Sequence, residues 1–222
     1  MEQERIQKYL ESLNKISQNQ GILLDAGCGS GNFSIWKMIN KFDNYLKIGL
    51  DLDPFDNENL DYTICGNLYK IPFRDNIMDV IVCEMVAEHL KTPELMISEF
   101  HRILKKNGSI VIFTPNRYHP IFFLANLLPQ QIVDYVKLRY YKIQERENFD
   151  VYYQFNDFSR IKKMCEKYFT FRELYAYHSV EGFDSKKVLL RIIYKIYKKI
   201  LFILPAKMRG GLIVAILEKN NN

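Results

Sequence analysis

Gly27, Gly29 and Gly31 occupy alternate positions in LLDAGCGSGNFS (Leu23 to Ser34), directly behind a short apolar run. Glycines placed this way allow a tight turn and let a ligand come close to the main chain. A helix beginning behind such a loop offers amides that no intrahelical partner satisfies. A dinucleotide fingerprint reads GxGxxG and would put its third glycine at position 32, which is Asn32. The GxGxG pattern here favours a ligand lying flat against the loop over a pyrophosphate at the helix start. Asp51 follows about 20 residues later, where the next apolar run ends, and a carboxylate there can accept hydrogen bonds from both vicinal hydroxyls of a ribose. Asp53 competes for that role but fits the spacing less well, and the plain alternative is that Asp51 only terminates a strand.

Groups able to move protons come further along. His89, in DVIVCEMVAEHL, can act as a general base near neutral pH, or it can pack behind the strand and hydrogen-bond to backbone. Glu84 and Glu88 are weaker bases in the same segment. His119, in TPNRYHP, stands just after another apolar run, where an acceptor could lie; His101 and His178 have no comparable case. Cys28, Cys65, Cys83 and Cys165 lack paired spacing, so they read as reduced thiols and no metal site is expected.

The elements that must carry these residues alternate. ILLDAG, NYLKIGLDLD, YTICGN, MDVIVCEM and GSIVIFTPN read as five strands. Helical spacing predicts an N-terminal helix over 2–18, another over about 32–41, and one over 93–105 with Thr92 as N-cap and Pro93 at its first position. Strands separated by helices argue for a doubly wound α/β domain with a mostly parallel sheet, whose ligands bind beyond the carboxyl ends of the strands. After Pro115 the pattern turns helical over 117–148. Residues 157–168 read as a further helix, FTFRELYAYH as an exposed strand and GGLIVAILEK as a final strand.

With the glycine loop and IGLDLDP in place, the chain over about 21–116 resembles class I S-adenosylmethionine-dependent methyltransferases, in particular the methyltransferase type 11 group. The resemblance implies a Rossmann-like seven-stranded sheet, S-adenosyl-L-methionine as cofactor, and a helical lid inserted after the fifth strand. It places Gly27, Cys28, Gly29 and Gly31 beside the methionine part of the cofactor, Asp25 near its charged end, and Asp51 with Leu52 at the ribose. CGNLYKIPF matches the segment that meets the adenine. The family commonly has an acidic residue there, whereas this chain has Asn67, whose carbonyl can still accept the bond, beside Leu68 as an apolar wall. Cys83 either lines the cofactor pocket or is a small buried filler. Glu88 and His89 fall on the family's Glu-His pair.

Length and composition suit one domain over 1–222: a cofactor-binding core at 21–116, a lid and acceptor region at 117–187, and a basic-apolar helix with the last strand at 188–222. Residues 1–116 hold 12 Lys and Arg against 16 Asp and Glu, while residues 117–222 hold 19 against 10. The late run 188–204 places Arg191, Lys195, Lys198 and Lys199 among apolar residues. It reads either as an interfacial helix giving peripheral membrane contact or as a packed helix whose lysine stems reach to water. No leader-like segment opens the chain, so a cytoplasmic location is expected. The expected activity is methyl transfer to a small-molecule, saccharide or lipid-linked acceptor, at oxygen. The competing readings are an RNA or protein acceptor, and a non-catalytic cofactor-binding subunit at the membrane. Nucleic acid is disfavoured because no aromatic-basic motif accompanies the positive charge.

Overall fold

The computed structural model describes residues 11, 16, 20–29, 42, 44–53, 59–129, 131, 150–177, 197, 199 and 201–220. The helices expected over 2–18 and 32–41, most of 130–149 and 188–204, and Gly31 lie outside the described residues.

Seven strands form one sheet: β1 (Gly21–Ala26), β2 (Tyr45–Asp51), β3 (Tyr62–Cys65), β4 (Met78–Glu84), β5 (Leu104–Pro115), β6 (Phe169–Tyr177) and β7 (Leu212–Lys219). Their order is β3-β2-β1-β4-β5-β7-β6. All neighbours are parallel except β7, which runs antiparallel to both β5 and β6. This is the Rossmann-like, mostly parallel architecture expected from the alternation of elements.

The central strand β4 and residues 109–115 of β5 are buried on both faces and mostly apolar, whereas the edge strands β3 and β6 are partly exposed. Ile81 and Cys83 of β4 join Leu24, Ala26, Ile110 and Ile112 in one cluster, whereas Val80 and Val82 join Leu23, Val111 and Phe113 in the other. Helix α1 (Pro93–Ile103) covers the first face with Met96, Ile97, Phe100 and Ile103, which helical periodicity puts on one side. Burying a side chain such as Phe100 stabilises the fold by about 1.5–3 kcal/mol. A short helix α2 (Pro120–Leu127) follows β5. Helix α3 (Phe158–Cys165) adds Ile161 and Cys165 to the same core face as α1, and a single turn α4 (Ala206–Arg209) precedes β7.

Two details depart from the sequence reading. Thr92 holds the N-cap position of α1, but its side chain makes no capping bond. The Tyr69 hydroxyl holds the approach to the helix, accepting from Lys91 N at 2.9 Å and Thr92 N at 3.2 Å, and Leu95 N donates to Thr92 O at 3.1 Å. The helix also stops at Ile103 rather than Lys105, because Leu104 turns extended and pairs with Met78. Pairing with β4 then jumps to Val80 and Ser109, leaving residues 105–108 as a bulge with Asn107 at φ 60°. Lys105 is held there by Asp79, 2.8 Å from its Nζ, whose carboxylate also accepts from Ile22 N at the start of β1.

Residues 157–177, expected within the lid region, contribute α3 and the edge strand β6 to the main body of the fold. The strand order reverses between β1 and β4, so the crevice at their carboxyl ends is the place where such sheets hold ligands.

Candidate active site

A cavity of about 360 Å³ opens at that crevice. Gly27 and Gly29 line it from behind β1, Asp51 and Leu52 from β2, Gly66, Asn67 and Leu68 from behind β3, and Glu84, Met85 and Val86 from β4. His89, Leu90, Asp150 and Tyr152 complete the wall.

The two described loop glycines have different reasons to be glycine. Gly27 has φ +84° and donates its N–H to Leu50 O at 2.7 Å, and a Cβ added there would sit 2.3 Å from Val86 Cγ2. Gly29 has φ +51°, yet a Cβ there would meet nothing within 4 Å. Packing therefore excludes a side chain at Gly27, while at Gly29 the left-handed backbone favours glycine and leaves the cavity side open. The Gly29 N–H donates to Asp51 Oδ2 at 2.9 Å, and Asp53 N donates to Asp51 Oδ1 at 3.2 Å. Asp51 is thus held at the cavity wall by the glycine loop on one side and its own following turn on the other. Asp53 does not line the cavity.

Asp25, two residues before Gly27, is buried, and its Oδ2 has no hydrogen-bond partner among the described residues. Burial, reinforced by the Glu84 and Asp51 charges, pushes its carboxyl up to about 8. A cationic group brought to the crevice would relieve that penalty. Among the described residues no lysine or arginine lines the cavity, whereas Asp51, Glu84 and Asp150 do. The wall suits a positively charged ligand with hydroxyls to donate, and it is poorly suited to a phosphate-rich one.

Asn67 spends one lone pair of Oδ1 on Tyr69 N at 2.9 Å, which closes the turn after β3. Its other lone pair and its amide group face the requirements of a ligand, and buried Leu68 gives the apolar wall.

The proton-moving candidates separate. His89 lines the cavity, with Nδ1 2.8 Å from Asp150 O. A carbonyl oxygen only accepts, so Nδ1 carries the proton and Nε2 holds the basic lone pair. Glu88 is buried and outside the cavity lining, and burial raises its carboxyl to about 8. Its Oε2 accepts from the Thr114 hydroxyl at 3.3 Å, and that oxygen accepts from Asn156 Nδ2 at 2.6 Å. The Glu88 carbonyl accepts from Tyr152 N at 2.7 Å, which anchors residues 150–153 across the cavity. In place of a base, Glu88 acts as a strut.

His119 is not brought to the cavity. It is buried, with Nε2 3.1 Å from the Tyr197 hydroxyl and its ring against Phe122. The turn after β5, in which His119 N donates to Asn116 O at 3.0 Å, carries the ring to Tyr197. Cys83 and Cys28 also lie outside the cavity lining. Strand alternation turns Cys83 into the core face shared with α1, and Cys28 packs into the opposite cluster, so burial lifts both thiols, that of Cys28 to about 12.

Several wall residues were not anticipated. Gly66, Met85, Val86 and Leu90 could have been sought from their position directly after strand ends, since that is where such sheets bind. Asp150 has no local signal: it lies 61 positions from His89 in sequence, and only folding joins them.

Residues 24–112 match the family described as a methyltransferase domain. Over this span the chain is similar to class I S-adenosylmethionine-dependent methyltransferases. An uncharacterized protein of Methanocaldococcus jannaschii is 34% identical over 98 residues, covering 43% of this chain and 41% of that protein. The malonyl-[acyl-carrier protein] O-methyltransferase of Yersinia pestis is 26% identical over 96 residues, covering 42% of this chain and 36% of its own length. The chain thus matches only about two fifths of the length of these curated relatives. A SAM-dependent methyltransferase structure from Archaeoglobus fulgidus shares the fold with a TM-score of 0.57 and 15% identity, covering 98% of this chain and 94% of that one.

S-adenosylmethionine is the cofactor of this methyltransferase core, and the residues present fit it. Asp51 suits the ribose hydroxyls, the open face of Gly29 suits the amino-acid portion, and the acidic wall suits its positive charges, with Asp25 buried behind the lining.

Proposed function

We propose that the protein moves a methyl group from S-adenosylmethionine to the oxygen of a small-molecule, saccharide or lipid-linked acceptor. The observation that carries the reading is the pairing of an acid-lined, glycine-floored cavity with a histidine on its wall held in the basic tautomer. An oxygen acceptor is the kind that benefits from a base, and the Yersinia pestis relative is by name an O-methyltransferase.

The bound cofactor supplies a methyl group already activated on a sulfonium sulfur. The chain's own work is binding, alignment and proton removal. Asp51 and the glycine loop fix the donor end. Leu90 and Tyr152 supply apolar wall on the side where residues 150–153 cross, and these shape the space for an acceptor. His89 Nε2 would take the acceptor hydroxyl proton and become an imidazolium, and the bound cofactor would supply the methyl group to that oxygen. Alignment alone contributes on the order of 7–11 kcal/mol in favourable cases, so one base suffices without a catalytic dyad.

The test couples binding to turnover. S-adenosylhomocysteine should raise the melting temperature of the wild type and leave Gly29→Val unshifted. Metabolite and lipid extracts incubated with labelled donor should yield a methylated product by mass spectrometry. His89→Ala should keep the thermal shift and lose turnover by about 10²-fold or more, the usual worth of a positioned base. A flat thermal-shift titration of the wild type refutes the reading.

A further inference from the structure

The end of the sheet that holds the cavity also carries an uncovered apolar surface. α2 turns Phe123, Leu124, Leu127 and Leu128 outward at successive turns of one face, with Leu127 66% exposed. In the helical residues 201–203, Leu201 is buried while Phe202 and Ile203 are 78% and 84% exposed. Single exposed apolar residues are ordinary on a protein surface, but a set of this size concentrated at one end is not.

Named contacts hold the two pieces together. Asn116, just before α2, donates from Nδ2 to Lys207 O at 2.7 Å and Gly210 O at 2.8 Å. His119 meets the Tyr197 hydroxyl, and within the late segment the Arg209 guanidinium lies 5.9 Å over the exposed Phe202 ring. Pro115 at the end of β5 pairs with Leu212 at the start of β7, so both segments leave the sheet at the end where β1, β2 and β4 wall the cavity.

The described charged residues of these two segments, Arg117, Lys199, Lys207 and Arg209, have one sign. The sequence has no Asp or Glu from Arg117 to Val133. It has none from Ser185 to Leu217 either, a stretch that holds eight Lys and Arg. Lys199 and Lys207 are exposed at the rim. No described helix is long and apolar enough to cross a membrane. A second copy is a poor occupant, because a two-fold interface would bring the two cationic rims against each other.

We infer that this surface docks flat on an anionic lipid bilayer, with α2 and residues 201–203 entering the headgroup boundary and the basic residues meeting the lipid charge. The contact is thereby moved from the run 188–204 alone to a surface built jointly with α2. Docking itself does not depend on methyl transfer. Its consequence rests on that reading: the cavity would be held at the lipid surface, within reach of lipid-linked acceptors.

The test is co-sedimentation of the full chain with phosphatidylglycerol-containing vesicles and with pure phosphatidylcholine vesicles, alongside a thermal shift with S-adenosylhomocysteine. The wild type should partition onto the anionic vesicles. Leu124→Ser with Leu127→Ser, and separately Lys199→Glu with Lys207→Glu, should each lower that partitioning by about tenfold or more, with the thermal shift unchanged. Equal partitioning onto both vesicle types, no partitioning, or wild-type partitioning by the variants overturns the inference. Vesicle-free self-association that Leu124→Ser with Leu127→Ser abolishes also overturns it, in favour of a second copy. Lost cofactor binding with retained vesicle binding counts against the methyl-transfer reading and leaves docking standing.

Discussion

The cavity and the apolar surface of α2 stand at the same end of the sheet and differ in every chemical respect. Among the described residues the cavity is walled by Asp51, Glu84 and Asp150 with no cation, whereas the surface is rimmed by Lys199 and Lys207 in stretches without acids. Two of the three cavity acids come from the acidic residues 1–116 and both rim lysines from the basic 117–222, while Asp150 crosses from the basic half to the cavity. Net charge summed over the chain would conceal this contrast.

The strongest way to break the contrast is to invert one side alone. Asp51→Lys puts a cation where the wall has none and removes the acceptor for Gly29 N, so S-adenosylhomocysteine affinity by calorimetry should fall about 100-fold or more. Vesicle partitioning should be unchanged, because separated sites act additively. Coupled loss of both would show that the two regions are one site.

Within the cavity, the two glycines should respond differently. Gly27→Ala drives a Cβ into Val86 and should destabilise the fold by roughly 2–3 kcal/mol in denaturant unfolding, with Val86→Ala restoring part of the loss. Gly29→Ala should cost only the left-handed backbone strain, about 1–2 kcal/mol. Equal costs at both positions would contradict the packing at Val86.

The smallest expected effect is on pH dependence. Asp25 and Glu88 are raised from 3.8 and 4.5 to about 8, mainly by burial. Between about pH 4 and 8 the folded chain thus holds protons that the unfolded chain has released, and stability falls as pH rises through that window. The ligand-free melting temperature should decline from pH 5 to pH 8, and Asp25→Asn or Glu88→Gln should flatten the decline. Cofactor binding should steepen proton release, seen as a buffer-dependent binding enthalpy that Asp25→Asn reduces.

Legibility followed sequence distance. The doubly wound, mostly parallel sheet, the glycine loop and Asp51 were readable, because each depends on local periodicity or a short spacing that any such sheet needs. Cys28 and Cys83 were misplaced relative to the cavity, because a position at a strand end does not say which face the side chain takes. His119 was misplaced because the turn after β5 sends it toward Tyr197. Glu88 and His89 are adjacent in sequence, yet one lines the cavity and the other lies behind it within a 3-10 turn.

By itself the sequence determined the class of donor site: three alternating glycines behind a buried strand and a carboxylate ending the next strand leave few other ligands that fit. Only the tertiary structure decided the acceptor side. Asp150 reaches His89 and Tyr152 reaches the Glu88 carbonyl across more than sixty positions of chain. Those contacts exist because the sheet brings the ends of β4 and β5 together, and no local pattern encodes which distant segment will close over them.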